Sequence, residues 1–179
     1  MRKLAEKFDD WSSEPGGREL SAELRHGTGE FLGNRRKIAA CVMVAIGSMS
    51  AISLYQLGIL KHLPEPPIPR LDADRVDGSA DAYAKLHTPD AVLGLHSYST
   101  TLALAAMGGD DRSRSHPWIP LALTGKLLFD AVQAGKLTVD QWTKHRAFCS
   151  WCLLAATATF AAVPLMIPEA RAALENIRD

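Results

Sequence analysis

Cysteine is scarce in this sequence: three residues among 179. Three cysteines cannot staple a small secreted scaffold, so a disulfide framework is excluded as the source of the fold. Net charge is also missing, because twenty Lys and Arg offset twenty Asp and Glu. A neutral chain has no bulk electrostatic pull on a polyanion, which argues against a nucleic-acid partner. No internal repeat and no glycine-rich phosphate loop is present. What the chain has in quantity is apolar residues, 47 % of the total, and that excludes a disordered polar chain. The length suits one domain.

The mean hydropathy of −0.03 is that of an ordinary soluble protein, but it averages over a strong pattern. Ile38–Leu60 runs for 23 residues without a charge. As a helix it reaches about 34 Å, enough to cross a hydrocarbon core of about 30 Å. Phe148–Ile167 is a second uncharged run, of twenty residues, with Pro164 near its end. Pro89–Met107 carries one charge, Asp90, at its edge, and Gly108-Gly109 follows as a helix stop. Pro117–Leu137 opens on proline and contains Lys126, Asp130 and Lys136. A soluble helix needs a polar face, and Ile38–Leu60 offers only Ser, Gln and Tyr. The expectation is an all-α fold: a four-helix transmembrane bundle with a short outer-loop helix. The competing reading, a soluble helical bundle, predicts partition into water without detergent.

Basic residues orient the spans. Arg35-Arg36-Lys37 abuts the first run and places the N-terminus in the cytoplasm; four spans return the C-terminus to the same side. Cytoplasmic segments then hold twelve Lys and Arg against seven outside. The polar leader before Ile38 is too long, and the run itself too extended, for a cleavable signal. The organisation expected is a polar cytoplasmic tail over 1–37, the bundle over 38–167 and a cytoplasmic tail over 168–179, in a multi-pass protein of the cell (inner) membrane. MRKLAEKF has the pattern of a short amphipathic turn on a membrane surface, within a leader that reads first as a mobile tail. Between the first two spans, a proline-rich extended piece precedes RVDGSADAYAKL, a short helix capped by Asp77 or Ser79. Pro168-Glu169 reads as a helix break and restart.

The motif with chemistry is Cys149-Ser150-Trp151-Cys152, at the start of the fourth run. In a helix, positions i and i+3 share a face, so the two thiols can close a reducible disulfide by local adjustment. The helix N-terminus, with His145 and Arg146 just before it, favours thiolate. A c-type haem site needs His after the second cysteine, where Leu153 stands. A structural zinc site needs four ligands, and no second pair exists, so no metal is expected. The bland alternative is two unreactive buried cysteines. Cys41, near the opposite end of the first span, reads as a packing residue.

A C-x-x-C opening the fourth span of such a bundle resembles the vitamin K epoxide reductase family in its compact bacterial form. The resemblance covers roughly Arg36 to Ala173. It rests on the span order, the C-x-x-C, TPDAVLGLHSYSTTLALAAMGG and FCSWCLLAATATFAAVPLMIPEA. It implies a membrane redox relay: a thiol partner, thioredoxin-like or another extracytoplasmic thiol protein, passes electrons through Cys149 and Cys152 to a quinone such as menaquinone or ubiquinone. By the same resemblance, Cys152 faces the quinone and Cys149 exchanges with the partner. Asp90 falls near a polar quinone contact, and Trp151 is positioned to shape the quinone entrance. Two departures stand out. Lys61–Thr88 lacks the loop cysteine pair many members carry, so a partner must reach Cys149 directly or the relay is lost. Ala156 stands where animal members place a quinone-bonding tyrosine. The missing pair favours the alternative, a non-enzymatic membrane scaffold that keeps the family fold.

Three further expectations concern polar residues inside the runs. Lys126 and Asp130 form an i,i+4 ion pair. His96 and Tyr98 bond neighbouring helices. Trp118, Trp142 and Trp151 sit in an interfacial aromatic belt.

Overall fold

A computed structural model describes residues 15–178. The MRKLAEKF segment therefore lies outside the described residues. Among the described residues the chain is all helical, with no strand and one isolated parallel bridge.

Helix α1 (Pro15–His26) precedes the first long helix, α2 (Leu32–Gln56). The loop that follows α2, expected from sequence to lie outside, holds α3 (Ala73–Asp77) and a 3₁₀ turn, Ala80–Tyr83. Helix α4 (Asp90–Ala106), the short α5 (Arg112–Ser115) and α6 (Trp118–Asp140) follow, and a π turn, Gln141–His145, leads to α7 (Ser150–Arg178). The four long helices match the four apolar runs. Helix α7 packs on both α2 and α6, and α4 closes the ring against α2 and α6. Helices α2 and α7 are long and apolar enough to cross a membrane.

Small residues let α7 take the central position. Ala155, Ala158, Ala162, Ala170 and Ala173 are buried along it, so neighbouring backbones approach closely. Ile38, Val42 and Ala45 of α2, Leu123 and Leu127 of α6 and Met166 of α7 fill the core. Cys41 packs against the same cluster, as a small apolar residue would. Large apolar side chains remain on the outside, among them Met43 and Val44 on α2, Phe129 and Val132 on α6 and Phe160 on α7.

The helix ends follow local chemistry. Gly108, at φ 78°, ends the second run in the left-handed region that glycine enters without strain. Arg35, counted above among the orienting basic residues, is only 3 % exposed. Its guanidinium donates to the carbonyls of Ala105, Met107, Gly108 and Gly109 at 2.8–3.1 Å, taking up the unpaired acceptors at the end of α4. Arg36 does the same for Leu24 and Gly27 at the end of α1.

Two expectations need correction. Pro168 neither breaks nor restarts a helix: α7 runs through Pro164 and Pro168 to Arg178. Both prolines lie on the exposed face. Glu169 is buried and ion-paired to Arg112, with Nε–Oε1 2.6 Å and Nη2–Oε2 2.7 Å. The outer-loop helix begins earlier than expected, and Asp72 caps it by accepting from Arg75 N at 2.9 Å. Ser79 precedes the 3₁₀ turn without a side-chain cap. Asp77 is not a cap, and its side chain points into the site described next.

Candidate functional site

The loop between α2 and α4 is pinned onto the start of α7. Asp72 N donates to Phe148 O at 2.9 Å, and Phe148 N donates to Arg70 O at 2.8 Å. The Glu65 carboxylate accepts from Ala73 N at 2.5 Å and Ser150 N at 2.6 Å. One anion thus serves the N-termini of two helices, where unpaired donors and the helix dipole favour negative charge. Trp151 Nε1 donates to Pro64 O at 2.9 Å. These contacts hold α3 over the C-x-x-C.

Cys149 is the residue just before α7, and its sulfur accepts from Cys152 N at 3.3 Å. That is the contact an N-capping side chain makes with the third helical residue. The motif spacing therefore does two things: it starts the helix and brings the two sulfurs together. Gln141 Oε1 holds Cys149 N at 2.9 Å. Both thiols are free. Cys149 is 0 % exposed, beneath Leu63, Ala73 and Val76 of the loop.

Asp77 completes the group. Cys152 Sγ donates to Asp77 Oδ1 at 3.5 Å. The carboxylate is 3 % exposed, and its Oδ2 has no hydrogen-bond partner. Burial pushes the Asp77 carboxyl up to about 6. The neighbouring thiols pull it back, Cys149 foremost, and the charge of Asp90 pushes it higher still. Donor atoms of Asp77, Cys149 and Cys152 all lie within 4.8 Å of one another. Three donors fall short of a closed tetrahedral zinc site, and among the described residues no fourth His, Cys, Asp or Glu joins them.

Cys152 lies where two cavities meet. One, of about 100 Å³, runs between the helices and is lined by Met49, Ile52, Asp77, Asp90, Tyr98 and Cys152, among others. The other, of about 190 Å³, lies under the outer loop and shares Asp77, Asp90 and Cys152 with the first. The loop residues Val76, Ser79 and Ala82 form part of its wall, so loop position sets its size.

Of the residues read from sequence, Cys149, Cys152 and Asp90 meet here. Asp90 Oδ1 accepts from Gln56 Nε2 at 2.8 Å, and the same nitrogen donates to Asp77 O at 3.2 Å. Trp151 lines neither cavity, and its indole holds the loop instead. Arg146 does not accompany the thiols: its guanidinium lies 5.5 Å from the Trp142 ring centroid. His145 lines the cavity under the loop. The charged group that bonds Cys152 is a carboxylate, not the expected cation.

Elsewhere, Lys126 and Asp130 pair at 2.5 Å, with Ser97 and Thr101 bonding both. Tyr98 bonds Thr159 on α7 at 2.9 Å, as expected. His96 is exposed, so the interhelical bond expected of it is not made. Sequence reasoning missed Asp77 altogether as a site residue. It is one of four aspartates between positions 72 and 81, and no local pattern marks it out.

Two free thiols and a buried carboxylate thus meet at a cavity between apolar helices. Residues 37–167 match the model of the vitamin K epoxide reductase family, and the chain belongs to that family. Membership makes it a membrane-integral oxidoreductase of a quinone-associated kind. No curated protein matches the chain.

Proposed function

We propose that this protein is a membrane thiol–quinone oxidoreductase. Electrons pass from an extracytoplasmic thiol partner, of thioredoxin-like or other kind, through Cys149 and Cys152 to a bound quinone. The observation that carries this reading is the position of Cys152: one helical turn from a second free thiol and in the wall of both cavities. The residues present suit a quinone head. Met49, Ile52, Ala155 and Ala156 offer apolar walls, and Asp90 and Asp77 offer a few polar contacts. A quinone supplies a sink for two electrons and two protons. Cys149 and Cys152 give up those electrons and protons as they join in a disulfide, and the partner's two thiols then reduce that disulfide by exchange.

We assign all four long helices to the bilayer, with both termini cytoplasmic and the cysteines at the outer boundary of a cell (inner) membrane. Exposed Phe129 and Val132 on α6 support its place beside α2 and α7, since large apolar groups on an outer face seek lipid. The mutual neutralisation of Lys126 and Asp130 makes that helix tolerable there.

A scaffold reading has one observation in its favour: the loop carries no cysteine and Cys149 is fully buried. Quinone reduction by the purified protein in detergent, with a dithiol donor, separates the two. The enzyme reading expects Cys152→Ser to abolish the rate. Equal rates in wild type and Cys152→Ser remove it.

A further inference from the structure

We infer that Asp77 is the proton carrier of the thiol pair: it takes the proton of Cys152 as that sulfur reacts and delivers it toward the acceptor in the adjoining cavity. This deepens the thiol–quinone reading and rests on it.

The geometry has three parts. Asp77 Oδ1 already accepts the Cys152 S–H, at 3.5 Å. Asp77 Oδ2 is buried and unpaired, and an orphaned buried carboxylate oxygen is costly unless a partner meets it. The side chain lines both cavities, as Cys152 does. One oxygen thus touches the reacting sulfur, in a side chain that lines the space where an acceptor binds.

The balance is simple. Two thiols become one disulfide and release two electrons and two protons, and the quinone takes up both pairs. The Cys152 proton moves to Asp77 Oδ1, and a carboxylic acid then presents a proton to an acceptor oxygen. The second proton, from Cys149, reaches the quinone's other oxygen directly or by exchange through solvent, so the two-proton balance closes. Asp77 returns to carboxylate, ready for the next cycle.

The groups facing Asp77 are consistent with this role. Cys149 stands just before α7 and Cys152 on it, Asp90 on α4, Glu65 on the loop and Tyr55 on α2. In the cavity under the loop, the other titratable side chains are Asp81, Lys85, Lys136, Asp140, Lys144 and His145. Burial and the acidic neighbours set the Asp77 carboxyl at about 6, so near neutral pH it can both take and give a proton.

Two measurements test the assignment. The first is quinone reduction against pH for wild type, Asp77→Asn, Asp77→Glu and Cys152→Ser. Asp77→Asn is expected to lower kcat about 10²–10⁴-fold, the usual range for a positioned acid or base, with a smaller effect on KM. Its profile should lose the rise near pH 6, and Asp77→Glu should keep such a rise. An Asp77→Asn rate within about threefold of wild type, with the rise intact, overturns the proposal. The second needs no quinone: infrared titration of the carboxyl in wild type, with the pair first as dithiol and then as disulfide made by diamide. Loss of the S–H donor removes a bond that stabilised the carboxylate, so the titration should move to higher pH in the disulfide form. An unmoved titration overturns the proposal even if the variants fail to fold. Should wild type reduce quinone no faster than Cys152→Ser, the parent reading fails, and the infrared shift still decides whether Asp77 and Cys152 share a proton.

Discussion

The sulfur of Cys152 and Oδ1 of Asp77 are 3.5 Å apart, although 75 positions separate the two residues in the chain. The contact exists because the loop between α2 and α4 is clamped at both ends. Glu65 ties it to Ser150, the bridge between Leu71 and Phe148 ties it to the entry of α7, and Gln56 holds Asp77 O. The same clamping buries Cys149 and leaves Cys152 as the sulfur in contact with both cavities.

The two cysteines should differ in access. In the reduced, folded protein, a bulky maleimide is expected to label Cys152 at least about tenfold faster than Cys149, because labelling of Cys149 requires the loop to open. Glu65→Ala removes the acceptor shared by Ala73 and Ser150 and should narrow that gap. Peptide mass spectrometry over a time course reads both rates. Equal labelling of the two in wild type would mean that the loop does not cover Cys149 in solution.

Asp77 should be a stability liability above pH 6. Its carboxyl holds a proton up to about pH 6 in the folded protein, against the ordinary 3.8. Between those values the folded state binds more protons than the unfolded one, so stability falls as pH rises from about 4 to 6 and then levels. A shift of about two units corresponds to roughly 3 kcal/mol at most. Asp77→Asn should therefore raise the unfolding midpoint in detergent at pH 7.5, and the gain should vanish near pH 4. A variant less stable than wild type at both pH values contradicts this.

The Arg112–Glu169 pair should be essential as a pair. Its side chains are 0 % and 4 % exposed. Arg112→Met leaves a buried carboxylate alone and is expected to cost about 3–5 kcal/mol, whereas Arg112→Met with Glu169→Met should recover much of that. Thermal unfolding in detergent compares the three proteins. A double variant no better than the single one would place the loss in the guanidinium's bonds to the carbonyls of Leu104 and Met107.

Membrane orientation is open to direct labelling. In a background with Cys41, Cys149 and Cys152 replaced by serine, Asp81→Cys should react with an impermeant maleimide in intact cells. Arg114→Cys should react only after the membrane is breached. Both positions are exposed, so the reversed pattern would invert the assigned orientation.

Arg35 should not tolerate lysine. Its fork reaches four carbonyls between Ala105 and Gly109 at 3.1 Å or less, and an ammonium cannot span them. Arg35→Lys is expected to raise hydrogen exchange at the end of α4 and through the following turn, without altering the thiols. Unchanged exchange there would show that the carbonyls find other donors.

Much of this protein follows from short-range pattern alone. Apolar runs set where the four long helices lie, Gly108 ends α4, and i,i+4 spacing joins Lys126 to Asp130. The C-x-x-C spacing joins two sulfurs at a helix start. Each of these depends on residues within about one turn, or on the composition of one segment. Tertiary structure decided the remainder. Asp77 became a partner of Cys152 only when the loop folded back over α7. Pro168 stayed helical because its missing donor falls on the exposed face, while Glu169, Ala170 and Ala173 are held from the other side. Burial, and the proton affinity that burial confers, is a property of what surrounds a side chain, and a linear sequence does not say which distant segment will do the surrounding.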